Sequence, residues 1–156
     1  RDQGQALGPF EAWVVLLGLE PLSLRAERHV AHTLHLAPWL LEQPQVAWVN
    51  YPGLPHHPHH DRAQKYFKGK PGAVLTFGLK GGYEAAKRFI SRPKLISHLA
   101  NVGDTRTLAI HPASTTHSQL SPEEQAQAGV SPEMVRLSVG LEHVEDLKAE
   151  LKEALA

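Results

Sequence analysis

Apolar and polar positions along the chain divide it into alternating helical and extended stretches. Residues 10–19 are dense in apolar side chains, which suits a buried helix or a subunit contact, with Gly18 as its break. From Leu19 to Glu42 the apolar residues Leu22, Ala26, Val30, Leu34, Ala37 and Leu41 recur every three or four positions, the spacing of one face of a long amphipathic helix. Pro38 falls inside that pattern. It removes one helix hydrogen bond and crowds the preceding turn, so a kink or break is expected near it. Pro21 fits the tolerant first turn.

Beyond residue 42 the pattern shortens. Val46–Asn50 reads as a strand, and the turn-rich run from Tyr51 to His60 follows it. Asp61 to Phe67 reads as a short helix, Ala73 to Leu79 as a strand, and Tyr83 to Ile90 as a helix after the Gly81-Gly82 punctuation. Thr107 to Ile110 and Val135 to Val139 complete a set of about four strands. Ser121-Pro-Glu-Glu124 is a helix start, with Ser as cap, Pro in the first turn and Glu three residues on. A last helix begins near His143, with its stripe at Val144, Leu147, Leu151 and Leu155. The expected class is α/β: about four mostly antiparallel strands with helices on one face, preceded by a long helix.

Composition narrows the function classes. The 156 residues are the size of one ordinary domain, and 42% are apolar, enough for a core. Sixteen basic and sixteen acidic residues balance, so no charge footprint points to nucleic acid or to an anionic membrane. No apolar run approaches the roughly 20 residues that span a bilayer. The absence of cysteine excludes a disulfide framework, a zinc-thiolate site and a cysteine nucleophile, and it agrees with a cytoplasmic location. The start, Arg-Asp-Gln-Gly-Gln, reads as a chain cut from something longer.

Three stretches carry a family resemblance. They are Tyr51-Pro-Gly-Leu54 with its His-rich turn, His111-Pro-Ala-Ser-Thr-Thr-His117, and Val135-Arg-Leu-Ser-Val-Gly-Leu-Glu142 followed by Val144-Glu-Asp-Leu147. Gly18–Glu20 and Leu22–His29 extend the match. In this order and spacing they resemble the Cys/Met-metabolism family of pyridoxal-phosphate enzymes. Leu99-Ala-Asn-Val-Gly-Asp104 and Thr115-Thr-His-Ser-Gln-Leu120 are similar to its O-acetylhomoserine sulfhydrylase branch, whereas γ-synthases and lyases usually carry Glu-Ser-Leu-Gly where this chain has Ala100-Asn-Val-Gly103.

The resemblance implies that residues 19–156 form the C-terminal small domain of a fold-type I transferase. Residues 1–18 would be a connecting helical segment from a large domain that is missing upstream. That large domain would hold the pyridoxal phosphate on a lysine. None of the lysines here, such as Lys65, Lys70 or Lys94, lies in the family's Ser-x-Thr-Lys setting, so no catalytic residue is expected in this chain. The reaction implied is sulfide replacing the acetyl group of O-acetylhomoserine to give homocysteine, in a homotetramer, with the isolated chain inactive. A γ-synthase or lyase of the same family, or a non-catalytic remnant that makes only subunit contacts, are the other readings.

Substrate-binding roles carry over to Arg136, Asn101 and Thr116. Arg136 matches the family arginine that grips the substrate α-carboxylate, and a planar guanidinium fork suits that anion. Asn101 and Thr116 match polar positions lining the same pocket. Each has a bland alternative: a strand Arg is ordinarily a surface or ion-pair residue, and an Asn before Val-Gly is ordinarily a turn residue. His56, His57, His59, His60 and Asp61 invite a metal, but proline-broken neighbours point apart and no second ligand cluster has zinc spacing. No metal site is expected. His117 is given a packing or hydrogen-bonding role. The chain departs from the family at Pro21, His32 and Pro93, where Thr, Asn and Leu are usual, and Pro38 is also unusual within its helix.

Overall fold

The structure, a computed structural model, describes residue 4 and residues 6–156. Two strands in the middle of the sheet organise it. Strand β2 (Val74–Leu79) lies antiparallel to β5 (Met134–Ser138), with Thr76 opposite Arg136 and Phe77 opposite Val135. Strand β1 (Val46–Asn50) pairs antiparallel outside β2, and β4 (Leu108–Ile110) pairs antiparallel outside β5. A two-residue β3 (Ser97–His98) adds itself parallel to β4, giving the order β1-β2-β5-β4-β3. The architecture is thus α/β with a five-stranded, mostly antiparallel sheet. Five strands replace the expected four, because two residues are too few to show a period of two.

Alternation along the central strands separates two faces. Leu75, Phe77 and Leu79 of β2 and Val135 and Leu137 of β5 are buried on one of them. Onto this face pack α2 (Leu22–Leu41), α4 (Gly82–Ile90) and α6 (Val144–Leu155). Phe89 of α4 meets Phe77 edge-on, with ring centroids 5.5 Å apart. The stripe expected for α6 is largely the one buried, namely Leu147, Leu151 and Leu155, joined by Ala154. Helix α4 starts one residue earlier than expected because Gly81, at φ 108°, and Gly82, at φ 68°, turn the chain through a conformation that side chains resist.

Helix α2 corrects three expectations. Its buried residues are His29, His32, Thr33, Leu36, Ala37 and Leu40, so of the expected stripe only Ala37 is buried, while Leu22, Leu34 and Leu41 face outward. Polar residues occupy the inner face because each finds a partner there. His29 Nδ1 donates to Val139 O at 2.6 Å, His32 Nδ1 donates to Gly140 O at 3.2 Å, and Thr33 Oγ1 donates to His29 O at 2.8 Å. The two histidines tie α2 to the end of β5, and burial, ahead of the other causes, holds the His32 imidazole below its ordinary pKa and therefore neutral. Hydrogen-bonded polar groups are admissible in a core, and a search by hydrophobicity overlooks them.

The second concerns a break at Pro38, which is not found: the helix runs on to Leu41. Pro38 is exposed and sits in the last turn, where water can serve the Leu34 carbonyl that Pro38 cannot. The unmade bond and ring crowding cost up to about 3 kcal/mol, and the stiffer unfolded chain returns about 1. Pro38→Ala is therefore expected to stabilise the protein by about 1–2 kcal/mol, read as a higher denaturant midpoint at constant slope; an unchanged midpoint would mean that the last turn already frays.

The third concerns the entry to α2. Helix α1 (Pro9–Leu19) continues through Gly18 and ends at Leu19, with Glu20 as its C-cap and Pro21 next as the N-cap of α2. No residue of α1 is buried: Phe10, Trp13 and Leu16 are each more than half exposed, so a buried helix is not what these apolar residues make here. In the remaining elements, α3 (His60–Phe67) and α5 (Pro122–Gln127) flank β2 and β5 in the chain. At α5 the expected capping box is present: Ser121 Oγ accepts from Glu124 N, and Glu124 Oε2 accepts from Ser121 N at 2.8 Å. Among the described residues no helix is long and apolar enough to cross a membrane.

Candidate functional site

The face of the sheet turned away from α2, α4 and α6 carries a polar row. Asn50, Thr76, Arg136 and Ile110 stand opposite one another across β1, β2, β5 and β4. Their placement follows from strand alternation, since Thr76 lies between buried Leu75 and Phe77, and Arg136 between buried Val135 and Leu137. Above the row is an open cleft of about 420 Å³. Pro112, Thr116 and His117 form one wall; Ala128, Gly129 and Val130 form the other, with Met134 beside them.

The wall that carries Thr116 is a chain of turns after β4. His111 anchors it from a fully buried position. Its Nε2 donates to Pro132 O at 2.7 Å, so its Nδ1 accepts from Ser114 Oγ at 2.8 Å. Thr115 Oγ1 donates to His111 O at 2.8 Å, and His117 N donates to Pro112 O at 3.0 Å. Thr116 Oγ1 and His117 Nδ1 are 2.9 Å apart. His117 thus makes the hydrogen bond expected of it while lining the cleft.

Arg136 is half-buried on the cleft floor. Its Nη2 donates to Asn101 O at 3.3 Å. Among the described residues the ion pairs are Lys70–Glu27, Arg106–Asp104 and Lys148–Glu145, and none involves Arg136. A guanidinium presents five N–H donors in a rigid fork, and a part-buried cation is stable when its donors are used. One main-chain carbonyl uses one of them. The arrangement can therefore accept a planar anion with two oxygens in bidentate fashion.

The three residues singled out from the sequence meet this geometry unequally. Arg136 and Thr116 line the same cleft. Asn101 reaches Arg136 through its main-chain oxygen, while its side-chain Oδ1 accepts from Val102 N at 2.8 Å, the geometry of a turn residue. Sequence reasoning passed over Asn50 and Thr76. The signal for Thr76 was present in the alternation of the strand it named; Asn50 closes a strand, where alternation is weakest. His57 adds to this edge of the face, its Nε2 2.8 Å from Asn50 Oδ1. Burial, followed by its neighbours His59, His56 and His60, pushes the His57 imidazole below its ordinary pKa. His60 is engaged separately, by Pro52 O and Gln64. No lysine borders the cleft.

All 156 residues match the model of the family described as Cys/Met metabolism PLP-dependent enzyme. The chain is 96% identical, over its whole length, to 37% of O-acetyl-L-homoserine sulfhydrylase 1 of Thermus thermophilus. It is 52% identical, over 99% of its length, to 35% of O-acetyl-L-homoserine sulfhydrylase of Leptospira meyeri. A crystal structure of a putative O-acetylhomoserine (thiol)-lyase from Campylobacter jejuni superposes on 99% of the chain, and on 37% of its own, with a TM-score of 0.91 and 44% identity. The chain spans little more than a third of the length of these proteins.

One expectation is corrected by these matches. They support sulfhydrylase relatives in general and fix the share of each relative that is covered. They do not support describing the chain as the C-terminal part of such an enzyme, and they do not address the activity of the chain alone. What the match over every residue does show is membership: the chain belongs to the Cys/Met-metabolism family of enzymes that depend on pyridoxal phosphate.

Proposed function

We propose that this chain belongs to an enzyme that converts O-acetylhomoserine and sulfide to homocysteine and acetate, and that its cleft binds the amino-acid end of the substrate. The observation that carries the reading is Arg136: a half-buried guanidinium on a cleft floor, with no carboxylate partner among the described residues. Arg136 takes the two oxygens of the α-carboxylate. Thr116 offers a hydroxyl from the wall above it, and Asn101 steadies the guanidinium through its carbonyl. Holding one end of a small substrate at two points fixes its rotation, which is how a binding surface lowers a barrier without touching the bond that breaks.

Pyridoxal phosphate, when bound, supplies an electron sink for carbanion chemistry. Its aldehyde requires an amine, and the cleft is bordered by arginine, histidine and hydroxyls without a lysine. These residues do not fit the covalent anchor of the cofactor; they fit the substrate's anion. The same reading divides the chain into a connecting segment, 1–18, and a small domain, 19–156. Residues 1–3 and 5 of that segment lie outside the described residues. The absence of any buried residue in α1, against the buried face of α2 from His29 onward, supports that division. The apolar, exposed surface of α1 supports a homo-oligomer, tetrameric in this reading, and a chain without cysteine suits the cytoplasm.

Sulfide and cysteine as competing acceptors test the reaction. The full-length enzyme, loaded with cofactor and given O-acetylhomoserine, is expected to release homocysteine from sulfide about tenfold or more faster, per concentration of acceptor, than cystathionine from cysteine. Faster cystathionine formation would assign the chain to a γ-synthase instead.

A further inference from the structure

Both walls of the cleft are tied to one residue that neither wall contains, one through its side chain and the other through its main chain. Gln125 lies on α5, a six-residue helix with no buried residue. Its Nε2 donates toward three main-chain carbonyls: His117 O at 2.8 Å, Ala113 O at 3.2 Å and Leu120 O at 3.3 Å. These belong to the turn chain that carries Thr116 and His117. On the other side the Gln125 main-chain carbonyl accepts from Val130 N at 2.8 Å, and Val130 is part of the opposite wall. A carboxamide has two N–H hydrogens, so three carbonyls share two donors, and nothing but a donor can occupy that point.

We propose that Gln125 is a positioning residue for the substrate cleft, setting the height of the Thr116 wall over Arg136 by gathering the carbonyls of residues 113, 117 and 120. This rests on the reading of the cleft as the substrate site. The wall needs such a device because it holds few apolar anchors of its own: from Thr116 to Leu120 only His117 is part-buried, the rest being exposed. Buried His111 and Ala113 fix the start of the turn chain, but the stretch from Thr116 to Leu120 is ordered mainly by its own turns. Gln125 supplies a second tie, from its Nε2 to the turn carbonyls and from its main-chain O to the N–H of buried Val130, with α5 ordered locally by the Ser121 capping box.

The shape of the side chain allows a sharp test in the full-length, cofactor-loaded enzyme. Gln125→Glu keeps length and branching but turns the donor into a carboxylate facing three carbonyl oxygens. Gln125→Met keeps length and removes the polar group. Amide hydrogen exchange in residues 114–120 is expected to quicken about tenfold or more in both, with β2 and β5 unchanged as a record of intact folding. KM for O-acetylhomoserine should rise about tenfold while kcat changes by less than about threefold. The KM defect of Gln125→Glu should shrink as the pH falls and the carboxyl regains a proton to donate; that of Gln125→Met should not. Unaltered exchange at 114–120 in both variants overturns the inference. Faster exchange with an unaltered KM overturns the assignment of the cleft to substrate and reduces Gln125 to an anchor of the loop.

Discussion

Arg136→Ala in the full-length enzyme is expected to lower kcat/KM for O-acetylhomoserine about 30- to 1000-fold, while the cofactor's absorbance stays close to that of the parent. A bidentate, charge-assisted contact in a half-closed cleft is worth about 2–4 kcal/mol. The absorbance is expected to hold because no lysine borders the cleft, so nothing in it can anchor the aldehyde. Arg136→Lys separates charge from geometry. It retains a cation at the end of a flexible stem but loses the fork, and it should recover only part of the loss. Folding is a lesser concern for this position than for its strand neighbours. Val135 and Leu137 are fully buried, whereas the Arg136 side chain lies on the open face and, among the described residues, makes one hydrogen bond, to Asn101 O. An efficiency within about threefold of the parent would make Arg136 a structural strand residue and leave the cleft without its anion site.

Much of this arrangement was legible in the sequence, for physical reasons that differ by element. Val46–Asn50 appears as the strand it was read to be, and α6 buries Leu147, Leu151 and Leu155, because apolar periodicity there coincides with the core face. Ser121 to Glu124 was legible because a capping box is a local chemical bargain that needs no tertiary partner. Helix α2 was legible in extent but not in face. His29, His32 and Thr33 point inward on the strength of carbonyls at residues 139 and 140 and within the helix, and a partner more than a hundred residues away leaves no trace in a local window. Helix α1 was legible as apolar, while its exposure was not, since periodicity says which side chains share a face and not what covers it. In the site, Arg136 and Thr116 share the cleft, and Asn101 meets Arg136 through its main-chain oxygen, a contact no side-chain argument could have found. Asn50 and Gln125 lay outside the motifs; only the sheet register and a set of three carbonyls bring them in.

The largest loss of stability from a single methyl group is expected at Gly140, two residues beyond the end of β5. Gly140→Ala should destabilise the protein by about 3–4 kcal/mol. The reason is space rather than backbone freedom. A Cβ at this position would stand 2.4 Å from Arg106 C and Thr107 N and 2.5 Å from Glu142 Oε2. Two of those atoms are main chain, so no rotamer change relieves the contact. The strand end around Thr107 would have to retreat, and it is held on every side. Glu142 accepts from Thr107 N and from Thr107 Oγ1, both at 2.7 Å, and Thr107 Oγ1 accepts in turn from Gly140 N at 2.8 Å. Leu141 N donates to Thr105 O at 2.8 Å, Ser97 N donates to Thr107 O at 3.0 Å, and His32 reaches Gly140 O from α2. Moving one strand away therefore costs about 1–3 kcal/mol in overpacking and about 1 kcal/mol for each buried hydrogen bond left unmade. The same network joins β4 and β5 just beyond Arg136, so the variant should also bind substrate less tightly in proportion to the displacement. Denaturant unfolding of the parent and the Gly140→Ala variant measures the first effect. A loss below about 1 kcal/mol would show that the end of β4 yields, and that Thr107 and Glu142 do not clamp it.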